Sequence, residues 1–168
     1  PLQLGYYYGA ARIHRAFNTL YGPMGQAFYP RLASRDSSNH EKAKQMTKKL
    51  LWIMTAAGLL FFSMIYFFTE PIIFIILGKK FLFATIPLKI FAIVLPLTAI
   101  SHVLGRQWLM IRGNDSQYAQ ILFISSIMGL ISIFVLIKSY GILAIPISLI
   151  IYELLTIILI LVFLKRAR

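Results

Sequence analysis

The most informative residues in this sequence are two arginines that lie three positions apart. Arg12 and Arg15 occur in an otherwise largely apolar N-terminal stretch, and on a helix this spacing directs both side chains to the same face. A guanidinium group presents a planar fork of donors that matches phosphate oxygens. Charged side chains within a membrane usually face a protein interior or an aqueous cavity. The pair therefore predicts either a site for a phosphate-bearing or acidic substrate, or two side chains that extend to the outer lipid headgroups.

The polar residues around this pair form a narrow stripe if the segment is a helix with about 100° per residue. The opposite face of that helix is apolar. A helix of this kind either lies on the membrane surface or crosses the membrane with its polar face toward a cavity. Because the polar positions continue along the whole segment, we expect it to cross. The predicted cavity-lining residues are Arg12, Arg15, His14, Thr19 and Gln26, with hydrogen-bonded packing as the alternative for His14.

Two further ionisable residues lie within apolar segments. Lys89 is near the start of a predicted helix, where it either extends to the headgroups or supplies a third cationic contact to a substrate. Glu153 lies halfway along the last apolar segment. A carboxyl group in that position predicts a proton-coupling group, a structural ion pair or a hydrogen-bonded neutral acid.

The sequence shows no catalytic or metal-binding pattern. It has no cysteine, and His40 and Glu41 have no partners at ligand spacing. We therefore expect no enzyme activity, no cofactor and no metal. A membrane-embedded glycosyltransferase or acyltransferase fragment is a weaker alternative, because its catalytic groups would have to come from a sparse set: Asp36, His40, Glu41 and Asp115.

The composition identifies the elements that must position these residues. Of the 168 residues, 59% are hydrophobic and 13% are charged, and the mean hydropathy is +0.77, whereas soluble proteins have about 25% charged residues. The sequence predicts an all-α, polytopic membrane helix bundle, because the bilayer core offers no water to satisfy unpaired backbone groups. It forms a single membrane domain, residues 1–168, with helices at approximately 4–30, 50–69, 84–104, 118–137 and 142–164. The chain begins with Pro1, and we expect it to be part of a longer protein.

The basic residues predict the orientation of the bundle. There are 17 Lys and Arg against 5 Asp and Glu, but they cluster between apolar runs, so a membrane protein explains them better than a nucleic-acid-binding protein. If the helices alternate, one side receives the predicted cytoplasmic basic loop 31–49 together with Arg106, Arg112 and the C-terminus. The positive-inside rule then predicts that this side, including the C-terminus, is cytoplasmic.

Two prolines are predicted hinge positions. Pro23 is flanked by Gly22 and Gly25 in the first helix, and Pro96 lies within the predicted helix 84–104. A proline removes a backbone donor and crowds the preceding turn, so it kinks a helix. A static kink is the alternative at Pro23.

Three segments carry a family resemblance. They are GYYYGAARIHRAFNTLYGPMGQAFYPRLASRD, ILGKKFLFATIPLKIFAIVLPLTAISHVLGRQWLMIRGND and IKSYGILAIPISLIIYELL. Together they resemble the polysaccharide (O-antigen-type) flippases of the multidrug/oligosaccharidyl-lipid/polysaccharide exporter superfamily. The resemblance implies a transporter with two lobes of six helices, in which this chain supplies helices eight to twelve of the C-terminal lobe. Leu143 departs from the family, which usually has a small residue there.

The resemblance also implies a function. The chain would help to flip a lipid-linked oligosaccharide, such as an undecaprenyl-pyrophosphate-linked O-antigen or capsule repeat unit, across the bacterial inner membrane by alternating access. Its partners would be the polyprenyl-pyrophosphate-linked glycan, membrane lipids, the N-terminal lobe of the same protein and polysaccharide polymerase machinery. The alternative is a multidrug or cation exporter of the same fold, which predicts acidic residues in the cavity where this chain has Arg12 and Arg15.

Overall fold

A computed structural model describes the backbone of residues 2–38 and 40–166 and the side chains of residues 4–28, 30 and 41–166. Over this part of the chain there are helices and short turns but no strand, which confirms the predicted all-α fold. Short 3-10 or π-helical turns cover 79–84, 103–112 and 141–143. The α-helices are α1 (Leu2–Thr19), α2 (Tyr21–Ser38), α3 (His40–Phe67), α4 (Thr69–Leu77), α5 (Thr85–His102), α6 (Asp115–Tyr140) and α7 (Ala144–Arg166).

Three helical stretches are long and apolar enough to cross a membrane. They are Glu41–Phe67, Lys79–Arg112 and Asp115–Arg166, and the last includes both α6 and α7. Many large apolar side chains on these helices are exposed, for example Phe83 and Phe134. Lipid tails accept such side chains, whereas water does not. The chain is therefore a membrane helix bundle.

The structure differs from the expected boundaries at two connections. Of residues 31–49, expected to be a basic loop, 31–38 belong to the end of α2 and 40–49 to the start of α3. Helix formers such as Lys, Glu, Gln and Met dominate residues 41–49, so the segment is basic and helical at once. Residues 70–83, expected to be a connection, include most of α4, which ends at Gly78 with a φ of 86°. The side chains of Arg31 and Arg35, and the whole of Arg168, lie outside the described residues.

Helix α5 lies at the centre of the bundle, where it contacts α1, α3 and α7. A close approach to α3 occurs at Gly58, where a Cβ atom would lie 2.8 Å from the Cα atom of Pro96. Tyr21 of α2 enters the same contact, and its hydroxyl donates a 3.0 Å hydrogen bond to the carbonyl of Leu95. Because small residues let helix backbones approach closely, Gly58 makes this three-helix contact possible.

The first two helices run along α5 from one end of the bundle to the other. Helix α1 contacts the turns 79–84 and 141–143, which we call the Lys79 end. Helix α2 contacts the turns 103–112, which we call the Arg112 end. The turns 79–84 and 103–112 directly precede and follow α5 in the chain, so the two ends of the bundle correspond to the two ends of α5. Helices α1 and α2 are not among the three apolar stretches. Together, however, they contact α5 and the turns at both of its ends.

Helices α6 and α7 form an antiparallel pair beside α5. The turn between them begins at Gly141, whose φ of 54° suits glycine. A Cβ atom on Gly129 would lie 3.3 Å from the Cβ atom of Tyr152, and Ser125 on the same face is fully buried. These small residues let α6 pack closely against α7.

Candidate functional site

The two arginines lie on an exposed face of α1. Ala10, Ala11 and Ile13 are buried against the rest of the bundle, whereas Arg12 and Arg15 project from the opposite side. The Nε atom of Arg15 donates a 3.3 Å hydrogen bond to the carbonyl of Ala11. The predicted polar stripe is therefore a single surface of α1, and the pair faces away from the helices described here.

Other stripe residues extend this surface along the helix. Tyr8 and Thr19 are exposed on the same side as the arginines, and the hydroxyl of Thr19 donates a 2.7 Å hydrogen bond to the carbonyl of Arg15. Gln26 is exposed on α2, one helix further along. The surface thus extends from Tyr8 to Gln26.

The structure places His14 and Lys89 apart from this surface. His14 is only 6% exposed, and its ring stacks on Phe91 at a centroid distance of 4.9 Å. It therefore belongs to the packed face of α1. Lys89 is half-buried on α5, and its Nζ atom lies 5.4 Å from the centroid of the Tyr66 ring of α3. A cation–π contact of this kind stabilises the ammonium group within the bundle.

The α1–α2 run is interrupted at Leu20, three residues before Pro23. The amide of Leu20 bonds to the carbonyl of Phe17 at 3.1 Å, and the amide of Met24 bonds to the carbonyl of Leu20 at 3.5 Å. Pro23 has no amide hydrogen to donate to Thr19, and its ring crowds that carbonyl, which explains the break. At the other predicted hinge, α5 continues without interruption through Pro96.

A cavity of about 500 Å³ lies at the Arg112 end of the bundle. It is formed by the start of α2, the turns that follow α5 and the start of α6. Its polar lining consists of Tyr21, Gln26, His102, Arg106, Gln107, Asp115 and Tyr118. Of the predicted substrate-binding residues, Gln26 is the one that lies in this cavity.

Two glycines shape the walls of this cavity. A Cβ atom on Gly105 would lie 2.2 Å from the ring of Tyr118, and one on Gly25 would lie 3.0 Å from the Nε2 atom of Gln107. The Gln107 Nε2 atom donates a 3.1 Å hydrogen bond to the carbonyl of Gly25. Its Oε1 atom is buried without a hydrogen-bond partner in the described part of the chain. That oxygen can accept a hydrogen bond from a bound hydroxyl, amide or water.

The backbone beside this cavity is a π-helical turn, Val103–Leu109. The amide of Met110 bonds to the carbonyl of Gly105, five residues earlier. Such wider turns are rare and frequently occur at functional sites. Sequence reasoning did not identify Gln107 or Tyr118 as site residues. A signal is present at Gly105, because a glycine inside a long apolar helix usually permits a close approach.

Glu153 is buried between α7 and α5. Its Oε1 atom accepts a 2.8 Å hydrogen bond from Thr98, and its Oε2 atom accepts a 2.5 Å hydrogen bond from Ser101. Tyr118 and Tyr152 lie within electrostatic range of its carboxyl group. Two hydroxyl groups thus donate to the carboxyl group of Glu153, and its role in proton coupling stays a prediction.

No group of three or more metal-ligating His, Asp or Glu side chains occurs among residues of known placement.

In a comparison with known proteins, the chain is 27% identical over 134 residues to the "Putative O-antigen transporter" of Escherichia coli (strain K12). The aligned region covers 80% of this chain but 32% of that protein, so the chain spans about a third of its relative. No family model matches the chain, and no solved structure matches it.

Proposed function

We propose that the chain is part of a transporter that flips a lipid-linked oligosaccharide across the bacterial inner membrane by alternating access. The observation that carries this proposal is the exposed surface with Arg12 and Arg15 on a helix that runs along α5. Intramembrane arginines are costly unless they face an aqueous or protein-lined space. In the proposal, that space is the cavity between this lobe and the N-terminal lobe of the same protein.

The chemistry of the arginine pair suits the proposed substrate. A pyrophosphate offers several anionic oxygens, and a guanidinium fork binds such oxygens with two parallel hydrogen bonds. His14 stacks on Phe91 in the second turn of α5, so the neighbouring pair lies in the half of the bundle nearer the Lys79 end. The name of the E. coli relative, an O-antigen transporter, agrees with a glycan-bearing substrate.

The cavity at the Arg112 end provides a second polar region for the same substrate. Gln26, Gln107 and Arg106 line it, and they supply both acceptors and donors for sugar hydroxyls. By the positive-inside rule this end faces the cytoplasm, together with the C-terminus. A substrate that enters from the cytoplasm would then meet this cavity before it reaches Arg12 and Arg15.

The test replaces both arginines by glutamine in the full-length protein and measures polysaccharide on the cell surface. Glutamine keeps the polar character and much of the length but removes the charge, so we expect the surface polysaccharide to be lost. The matched control is Lys79→Gln with Lys80→Gln, which removes two exposed charges at the Lys79 end. Immunoblots of membrane fractions show that each variant is inserted. Normal polysaccharide in the double arginine variant would refute the role.

A liposome experiment distinguishes the proposed flippase from the other candidates. Purified full-length protein is reconstituted with a fluorescent polyprenyl-pyrophosphate glycan, and movement between leaflets is followed by quenching from outside. We expect translocation without any covalent change in the lipid. A chemically altered lipid would identify a transferase, and export of a cationic dye without lipid movement would identify a drug exporter.

A further inference from the structure

A second recess at the Arg112 end lies apart from the cavity described above. It has a volume of about 350 Å³ and lies where the start of α3, the turns after α5 and the end of α7 meet. Its lining residues are Lys44, Trp108, Leu109, Arg112, Asn114, Phe163 and Leu164. None of these residues was predicted from the sequence to bind substrate, and none is used by the proposed transport site.

The recess is cationic. The guanidinium of Arg112 lies 4.1 Å from the centroid of the Trp108 ring, so a cation–π contact orients it. Lys44 reaches the recess from α3, and Lys165 and Arg166 follow its wall residue Leu164 and are exposed. The described lining contains no acidic side chain. An arginine with a nearby lysine forms strong, charge-assisted hydrogen bonds with a phosphate group.

The recess also lies at the boundary of the apolar part of the bundle. The apolar sequence of α7 ends at Leu164, directly before Lys165. Phe163 and Leu164 line the recess, and the preceding Leu161 and Val162 are exposed on the outer surface of α7. A tryptophan such as Trp108 is typical of this interfacial depth. A ligand here therefore meets basic groups at one end and an apolar, lipid-facing surface at the other.

We propose that this recess binds the phosphate headgroup of an anionic phospholipid from the adjacent leaflet, with the acyl chains along the end of α7. Basic recesses between transmembrane helices are typical sites for anionic headgroups. The apolar wall favours a lipid over a free phosphate ion, because an ion gains nothing from Phe163 and Leu164. The site depends on the membrane bundle alone and does not depend on which substrate is transported.

Native mass spectrometry of the detergent-purified protein tests the proposal. The protein is titrated with phosphatidylglycerol and with phosphatidylcholine of the same acyl chains. We expect tighter binding of phosphatidylglycerol, and we expect Lys44→Gln with Arg112→Gln to weaken that binding about tenfold, since each basic side chain near the surface contributes attraction. Phosphatidylcholine binding should weaken less, because its choline cation offsets the charge of its phosphate. A charge-preserving variant, Lys44→Arg with Arg112→Lys, should bind phosphatidylglycerol nearly as well as the original protein.

The matched control is Lys79→Gln with Lys80→Gln, which removes two exposed charges at the opposite end of the bundle. Circular dichroism and gel filtration of each variant verify the fold. Unchanged phosphatidylglycerol binding in the Lys44/Arg112 variant would overturn the proposal, as would an equal loss in the Lys79/Lys80 control. Displacement of the lipid by inorganic pyrophosphate at matched concentration would show that the recess recognises phosphate alone, and would overturn the assignment to a lipid.

Discussion

Thr98 on α5 donates a 2.8 Å hydrogen bond to the carboxyl group of Glu153 on α7. Ser101, one turn further along α5, donates a bond to the other carboxyl oxygen. A buried polar group without partners costs free energy, and here both oxygens of the acid are satisfied by the neighbouring helix. The three residues therefore hold α5 and α7 in register within the apolar bundle.

Removing the two hydroxyl donors should destabilise the bundle. In the variant Thr98→Val with Ser101→Ala, the Glu153 carboxyl group stays buried without partners, at a cost of about 1–3 kcal/mol. Adding Glu153→Leu should recover part of this loss, because an apolar group needs no partner. The midpoint of thermal unfolding in detergent measures both effects. If the double variant unfolds at the original temperature, the hydrogen bonds do not contribute to stability.

The proton-coupling hypothesis for Glu153 predicts a separate result. Glu153→Gln keeps an oxygen that accepts a hydrogen bond but removes the group that exchanges protons, so transport should lose its dependence on an imposed pH gradient. Glu70→Gln on α4 is the control, because Glu70 is exposed. Liposomes with the reconstituted full-length protein and an imposed gradient provide the measurement. Full dependence on the gradient in Glu153→Gln would exclude this acid as the coupling group.

Gly58 should tolerate no larger residue without loss of stability. A Cβ atom there would lie 2.8 Å from the backbone of Pro96 and 3.2 Å from the side chain of Ala99, so Gly58→Ala must displace α3 from α5. Such overpacking typically costs about 1–3 kcal/mol. Gly22→Ala is the matched control, because nothing lies within 4 Å of a Cβ atom at Gly22. Thermal unfolding should show a lower midpoint for the first variant and an equal or higher midpoint for the second.

The all-α membrane fold could be predicted from the sequence because apolar runs of about 20 residues have few other solutions. The stripe with Arg12 and Arg15 could also be predicted, since helical periodicity fixes which residues share a face. The apolar period did not reveal that residues 31–38 and 40–49 are helical, because a basic helical segment has no apolar signal. Helix α4 was also not predicted, because it is short and follows α3 directly.

The cavity at the Arg112 end could not be predicted for a different reason. It depends on a π-helical turn and on contacts between residues far apart in sequence, such as Gln107 with Gly25. Periodicity along one helix carries no information about which other helix lies opposite. Similarly, the hydroxyl partners of Glu153 lie more than 50 residues earlier, at Thr98 and Ser101. The sequence identified the acid but not the helix that binds it.

Gly105 should be essential for the wall of the cavity at the Arg112 end. Its Cβ atom in Gly105→Ala would lie 2.2 Å from the Tyr118 ring, so the ring must move and the cavity must change shape. We expect a lower unfolding midpoint for Gly105→Ala. The double variant Gly105→Ala with Tyr118→Ala should recover part of that loss, because the clash is removed. The single variant Tyr118→Ala shows how far the unfolding midpoint falls when only the ring is lost. If Gly105→Ala alone is neutral, the ring is not fixed against Gly105.

The interruption at Leu20 predicts that Pro23 controls bending between α1 and α2. Pro23→Ala restores an amide that can bond to the carbonyl of Thr19, so the two helices should become one continuous helix. Hydrogen exchange should then show greater protection of the amides of residues 20–24. Because α1 carries the arginine pair and α2 borders the cavity, a rigid connection should reduce transport several-fold in the full-length protein.

Pro30→Ala, which alters a second proline inside α2, is the control and should have a smaller effect. Greater protection with unchanged transport would show that the break at Leu20 is a static kink.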